Sequence, residues 1–227
     1  MNIGVLLSGC GVYDGAEIQE AVFSLLAIDE LGHQAVCLSI NENQHHVVNH
    51  SNGEEMKEER NMLIESARIS RGQISSMNDI DIHSLDALLI PGGFGSAKNF
   101  STWAFKGPEG SIREDVKNLI LKMHNNKKPI AAICVSPVLI AKTFQDSGIS
   151  IDLTIGSDKE TSPYNIVDFE EGLKATGART ESKTVKEILI DQKNKIITAP
   201  CYMMDASISE IRNNVKMAVE ATVNLMQ

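Results

Sequence analysis

The chain opens with a short apolar run, Asn2 to Leu7, that breaks at the turn-rich stretch Ser8 to Gly15. Ala16 to Leu31 then carries Val22, Leu25, Leu26 and Ile28 at helical spacing, Gly32 closes it, and Gln34 to Ser39 is apolar again. Strand, helix, strand in that order is the βαβ unit from which parallel sheets are built. Asn41 to Glu59 has too few apolar positions for a core layer and reads as an excursion, followed by a helix over about Asn61 to Arg71. Further on, the pattern predicts a strand at Leu85 to Ile90, a helix over Ser111 to Asn125 with Ser111 as its N-cap, and a strand at Pro129 to Cys134. The last of these is apolar on both faces, as the middle of a parallel sheet requires. Val135 to Phe144 reads as helix, Ile151 to Ile155 as strand, and Ile166 to Thr176 as a helix closed by Gly177. Glu187 to Asp191 and Lys195 to Thr198 flank the polar Gln192 to Asn194 turn as an edge β-hairpin. Ser207 to Met226 is amphipathic, with Ile208, Ile211, Val215, Ala218, Val219 and Val223 on one face. The pattern predicts an α/β fold, a mostly parallel central sheet with helices on both faces, in one domain over residues 1–227.

Composition narrows the partners. With 21 Lys and Arg against 30 Asp and Glu, the net charge is −9. That lacks the basic footprint phosphate binding needs, so neither nucleic acid nor an anionic membrane is expected as a partner. The longest weakly polar run, Ile130 to Ala141, is interrupted by Ser136 and Pro137 and falls short of the ~20 apolar residues of a membrane-spanning helix. No Lys or Arg precedes Lys57, which predicts no leader and a cytoplasmic protein. Four cysteines, Cys10, Cys37, Cys134 and Cys201, have no CxxC spacing and are expected as reduced thiols.

In open α/β sheets ligands bind beyond the carboxyl ends of the strands. Cys10, Cys134 and Cys201 fall at such ends, whereas Cys37 sits within a strand. Cys134 is delivered by an apolar strand into a sharp turn that opens a helix, the arrangement of a nucleophile elbow. Backbone N–H groups there should lower the thiol pKa and hold an oxyanion, with the Val135 amide as first donor. Equally, a buried cysteine can serve as a small core residue. Gly92-Gly93 at a strand end could supply the second amide, or could simply make a tight turn. Asp14, Glu17 and Glu20 lie near the start of the first helix, as ordinary charge complementation or as an inward acid that moves protons. Gly9-Cys10-Gly11-Val12-Tyr13-Asp14 lacks the third glycine of a dinucleotide loop, and His45, His46 and His50 lack metal-site spacing. No metal and no cofactor are expected.

Pro91-Gly92-Gly93, Ala131-Ala132-Ile133-Cys134 with Pro137, and Asp14-Gly15 leading to Glu20 resemble the DJ/PfpI superfamily of class I amidotransferase-like proteins. Ser8 to Gly15, Pro91 to Asn99, and Thr198-Ala199-Pro200 with Tyr202-Met203 look like its ElbB-type branch, the isoprenoid-biosynthesis-associated glyoxalases. The resemblance implies a flavodoxin-like three-layer sandwich and a homodimer. It makes Cys134 the nucleophile and Glu20 the acid beside it, with Glu17 as fallback; placement at the strand ends and the start of the first helix offers Gly92, Gly93 and Val135 as oxyanion hole and Cys10, Glu17 and Cys201 as candidate lining. No histidine follows His124, so a Cys-His-Glu triad in the superfamily's chain order cannot form. The implied activity is a glutathione-independent glyoxalase acting on a small dicarbonyl such as glyoxal or methylglyoxal, with a non-catalytic cysteine redox sensor as the alternative.

Overall fold

A computed structural model describes residues 1–226. Its strands are β1 (Asn2–Leu6), β2 (Gln34–Ser39), β3 (Ser75–Ser76), β4 (Ala87–Ile90), β5 (Ile130–Ile133), β6 (Asp152–Leu153), β7 (Arg179–Thr180), β8 (Leu189–Asp191) and β9 (Ile196–Ala199). The helices are α1 (Ile18–Glu30), α2 (Met62–Ile69), α3 (Phe94–Lys98), α4 (Trp103–Lys106), α5 (Glu114–Asn125), α6 (Pro137–Phe144), α7 (Ile166–Ala175) and α8 (Ile208–Leu225). Seven strands form one sheet in the order β3-β2-β1-β4-β5-β9-β8, parallel except for the β8–β9 hairpin at the edge. This is a flavodoxin-like three-layer sandwich. Helices α1 and α8 lie side by side on one face, and α5 and α6 pack against the other.

Register fixes where the strands end. Val5 is level with Leu89, Leu89 with Ala131, and Ala131 with Ile197. Strands β4, β5 and β9 are buried at every position because helices cover both faces. Their shared register brings Pro91, Cys134 and Pro200 out on the same rim.

Several elements depart from the pattern. The first turn of α5 follows Arg113 rather than Ser111, because Ser111 is engaged elsewhere: its N–H donates to Thr102 Oγ1 and its carbonyl accepts the Thr102 N–H, both at 2.8 Å. Arg113 instead forks to Glu42 and Asp115. Ile151 to Ile155 shortens to β6, which pairs with β7 in a separate two-stranded sheet and never joins the main one. On α1 the helical period is right but the face is not: Val22 and Leu26 are exposed with Ile18, while Ala21, Ser24, Ala27 and Ile28 are buried. Small residues let α1 and α8 approach closely. Ile208 is likewise exposed, since it lies within the Ser207–Glu210 capping box at the very start of α8. The 41–59 excursion forms no helix, yet it is anchored: Val48 N–H donates to Asp14 Oδ2 and His45 N–H to Asn99 Oδ1, both at 2.8 Å.

Asn214 on α8 is fully buried and bridges two loops. Its Oδ1 accepts the Cys201 N–H at 2.9 Å, and its Nδ2 donates to the Glu187 carbonyl at 2.8 Å. Asn214→Ala strands both partners in a dry site, so we expect a loss of ~1–3 kcal/mol in denaturant unfolding. A change below a few tenths would show that the bridge carries no weight.

Candidate active site

Cys134 follows β5 directly and holds a left-handed backbone, φ 57°, that non-glycine residues rarely adopt. Its own N–H is secured to the Ala199 carbonyl at 2.9 Å. The Ser136 hydroxyl donates to the Pro91 carbonyl at 2.7 Å, which ties the elbow to the loop after β4. From that loop the Gly93 amide faces the Cys134 sulfur, and the Val135 amide does so from the elbow itself. Both amides act to lower the thiol pKa, as groups close to its sulfur do.

Glu20, in the first turn of α1, is completely buried. One carboxyl oxygen accepts the Gly92 N–H and the other the Tyr202 N–H, both at 3.0 Å, and the carboxyl and the Cys134 sulfur both lie against Gly92. Glu17 does a different job: its side chain caps α1 by accepting the Glu20 N–H at 2.6 Å, and its own N–H donates to the Gly92 carbonyl at 2.9 Å. The geometry thus separates the two acids. Gly92 must be glycine, since a Cβ there would stand 2.3 Å from Cys134 Cβ and 2.4 Å from Glu20 Oε2. Gly93, at φ 97°, would drive a Cβ to 2.3 Å from the Gly15 carbonyl oxygen.

Burial pushes the Glu20 carboxyl up to about 8, helped by the neighbouring Glu17 charge and opposed by its hydrogen bonds to Tyr202, Cys134 and Gly92. The Cys134 thiol also rises, well above its ordinary value, first through burial and then through the Glu20 charge; the Gly93 and Val135 amides pull the other way. This corrects the expectation of a lowered thiol pKa: desolvation outweighs the two nearby amides. At rest both groups are protonated, and the first proton to leave gives the pair one shared negative charge.

Cys201 is also buried, in a left-handed turn at φ 46°; burial raises its thiol pKa, and Glu20 and Cys134 are close enough for their charges to raise it further. It belongs to the site's wall. Cys10 does not: Gly9 and Gly11, at φ 118° and 137°, bend the loop after β1 away, and Cys10 lies among Glu65, Arg68 and Asp14. His45 and His46 pack on Phe105 and His50 beside Tyr13, and among the described residues no His, Cys, Asp and Glu cluster could hold a metal. Two clefts flank the site. One, of about 270 Å³, includes Glu17, Tyr164 and Tyr202; the other, of about 320 Å³, includes Phe94, Trp103, Val135 and Phe169; Tyr13 borders both. The Phe94 and Tyr164 rings meet edge to face at 5.6 Å between them. Sequence reasoning missed these aromatics, although a signal existed. Only 4% of the chain is aromatic, yet all three tyrosines and the single tryptophan are here.

Two outcomes follow from Glu20. Because its folded pKa lies above the usual 4.5, the stability it contributes is complete below about pH 4.5 and is lost as pH rises to about 8. Between pH 5 and 8, thermal unfolding of the wild type should therefore fall relative to Glu20→Gln; parallel curves would contradict a buried neutral acid. Iodoacetamide labelling of Cys134, followed by peptide mass, should accelerate through about pH 8 in the wild type. In Glu20→Gln that inflection should vanish; its persistence would remove Glu20 from the pair.

Comparison with known proteins agrees with this architecture. The chain is 37% identical to the ES1 protein homolog, mitochondrial, of Rattus norvegicus, across 99% of this chain and 84% of that protein. It is 36% identical to the glutamine amidotransferase-like class 1 domain-containing protein 3, mitochondrial, of Homo sapiens, across 99% and 83%. A crystal structure of an isoprenoid biosynthesis protein with amidotransferase-like domain from Ehrlichia chaffeensis superposes with a TM-score of 0.90 at 32% identity, covering all of both chains. These names correct the cytoplasmic expectation, because both curated relatives are mitochondrial proteins. That expectation rested largely on missing leader residues, and the matched region of a folded protein does not carry its address. The DJ-1/PfpI family model matches residues 11–148, which include Glu20, Gly92, Gly93, Cys134 and Val135, and this chain belongs to the DJ-1/PfpI family.

Proposed function

We propose that the protein is a cofactor-independent glyoxalase of the ElbB type, converting glyoxal or methylglyoxal to glycolate or lactate. The observation that carries this reading is the buried Cys134–Glu20 pair beneath two convergent amides, with no histidine among the groups that act on it. Amide or peptide cleavage needs a strong base and a protonated leaving group, whereas an aldehyde is electrophilic enough for a thiol whose proton leaves to a neighbouring carboxylate.

In this reading the pair first releases one proton to solvent, and Cys134 sulfur then bonds to the aldehyde carbon while the thiol proton passes to the ionised Glu20. The carbonyl oxygen, now an alkoxide, is held by the Gly93 and Val135 amides and is protonated to the hemithioacetal. Glu20, ionised again by giving its proton to that alkoxide, removes the hydrogen from the sulfur-bound carbon to leave an enediolate and returns it to the adjacent carbon. The hemithioacetal hydroxyl proton meanwhile passes to the neighbouring oxygen and the thioester forms. Water then cleaves the thioester, releasing the hydroxy acid and restoring the thiol. Redox balance is internal, since the aldehyde carbon is oxidised as the neighbouring carbonyl is reduced. Gly92 supports the sequence sterically, because it alone lets sulfur, carboxyl and loop backbone touch. We also propose a homodimer, for which the exposed Ile18, Val22 and Leu26 offer an apolar strip along α1. A supporting role in isoprenoid biosynthesis is suggested by the name of the Ehrlichia chaffeensis protein alone.

The test is hydroxy-acid formation from both dicarbonyls without glutathione or metal. Cys134→Ala and Glu20→Gln should each lower kcat by at least ~10²-fold, in the range of lost proton transfer. Glu17→Gln should act more mildly, since a glutamine oxygen can still cap α1. Wild-type protein without turnover, or turnover indifferent to Cys134, would sink the assignment; selective peroxide oxidation of Cys134 in that inactive protein would move the redox-sensor reading to first place.

A further inference from the structure

A three-carbon dicarbonyl leaves one feature beside the nucleophile unused. The cleft at Val135 has a volume of about 320 Å³, within the ~300–1,000 Å³ typical of small-molecule sites and far beyond the needs of methylglyoxal. Phe94 and Val135, which directly follow Gly93 and Cys134 in the chain, both line it, and Tyr13, Trp103 and Phe169 supply the rest of an aromatic wall. The cleft therefore adjoins the two loops that carry the oxyanion amides.

Lys98 lines the same wall, half-buried, its ammonium 5.7 Å from the centre of the Phe94 ring. Its nitrogen donates to the Tyr13 carbonyl at 2.8 Å, which fixes its place without neutralising it. Among the described residues no carboxylate lies within 4.0 Å of that nitrogen. The acids in its neighbourhood, Asp14 and Glu55, face His50 and His46 instead. Burial in turn depresses the Lys98 pKa, as expected of a cation short of a counter-charge. An ammonium with spare donors at an aromatic-lined cleft is a site for an anion carried on a flat apolar body.

We infer that the physiological substrate is an aromatic α-oxoaldehyde bearing an anionic substituent, its ring lodged between Phe94, Trp103 and Phe169 and its anion on Lys98. The inference deepens the glyoxalase reading and rests on it for the reacting end of the molecule. The body and the anion rest on the cleft alone.

Trp103 makes the cleft observable without turnover. It is the only tryptophan in the chain, so its fluorescence reports occupancy directly. Titration with 4-(hydroxymethyl)benzoate should give a saturable change in wild-type protein. Benzyl alcohol, which lacks the charge, and acetate, which lacks the ring, should each bind at least about tenfold more weakly. Lys98→Gln should erase the advantage of the benzoate over benzyl alcohol, and Lys98→Arg should restore it. Ala104→Phe, at an exposed position on the rim, should block both aromatic ligands without touching the core. Equal binding of all three probes, or a benzoate advantage that survives Lys98→Gln, overturns the inference. Benzoate binding with these dependences but no α-oxoaldehyde turnover would keep the cleft assignment while the glyoxalase reading falls. Cys134-dependent methylglyoxal turnover with no benzoate binding would do the reverse.

Discussion

The site depends on one buried carboxyl group. Glu20 reaches from the first turn of α1 to the ends of two different strands, taking an amide from Gly92 after β4 and another from Tyr202 after β9, while it lies beside the thiol that follows β5. Three loops that are distant in sequence are thereby referred to the same two oxygens. A carboxylate so enclosed is poorly solvated, and its elevated pKa is the same fact seen from the proton's side. Position and acidity cannot be adjusted separately here, because the burial that organises the loops is also what retains the proton.

Glycine at 92 is the complement of that carboxyl. A methyl group in its place would overlap both the cysteine and the acid, so the contact between them exists only because the intervening residue has no side chain. Glu17 completes the clip by holding the Glu20 amide on one side and the Gly92 carbonyl on the other. Helix start, glycine loop and elbow are in this sense one construction.

Much of this was legible in the order of residues. Parallel-sheet strands covered on both faces leave continuous apolar runs, so β1, β2, β4, β5 and β9 and the hairpin are readable, and with them the rim on which Cys134 and Gly92-Gly93 meet. Side-chain direction is another matter. Val22 and Leu26 have the spacing of a core face, but the packing of α1 on α8 selects small residues instead, and nothing local announces that choice. Ser111 has the chemistry of a cap and is claimed by Thr102 across a turn. Cys10 sits at a strand end like Cys134, and only the loop dihedrals send it toward α2. Choosing Glu20 over Glu17 required family resemblance, because one helical turn separates them and their burial differs only in three dimensions. Desolvation of the thiol was invisible for the same reason.

Two neighbouring strands in this protein end on cysteines held in the left-handed region, at φ 57° and 46°. For residues with a Cβ that conformation costs ~1–2 kcal/mol each relative to glycine, which would make the same turns freely. Glycine at 134 or 201 would release that strain while emptying a buried side-chain position. At 134 the change would also remove the reactive sulfur, so at that position backbone strain, core packing and chemistry are carried by one residue.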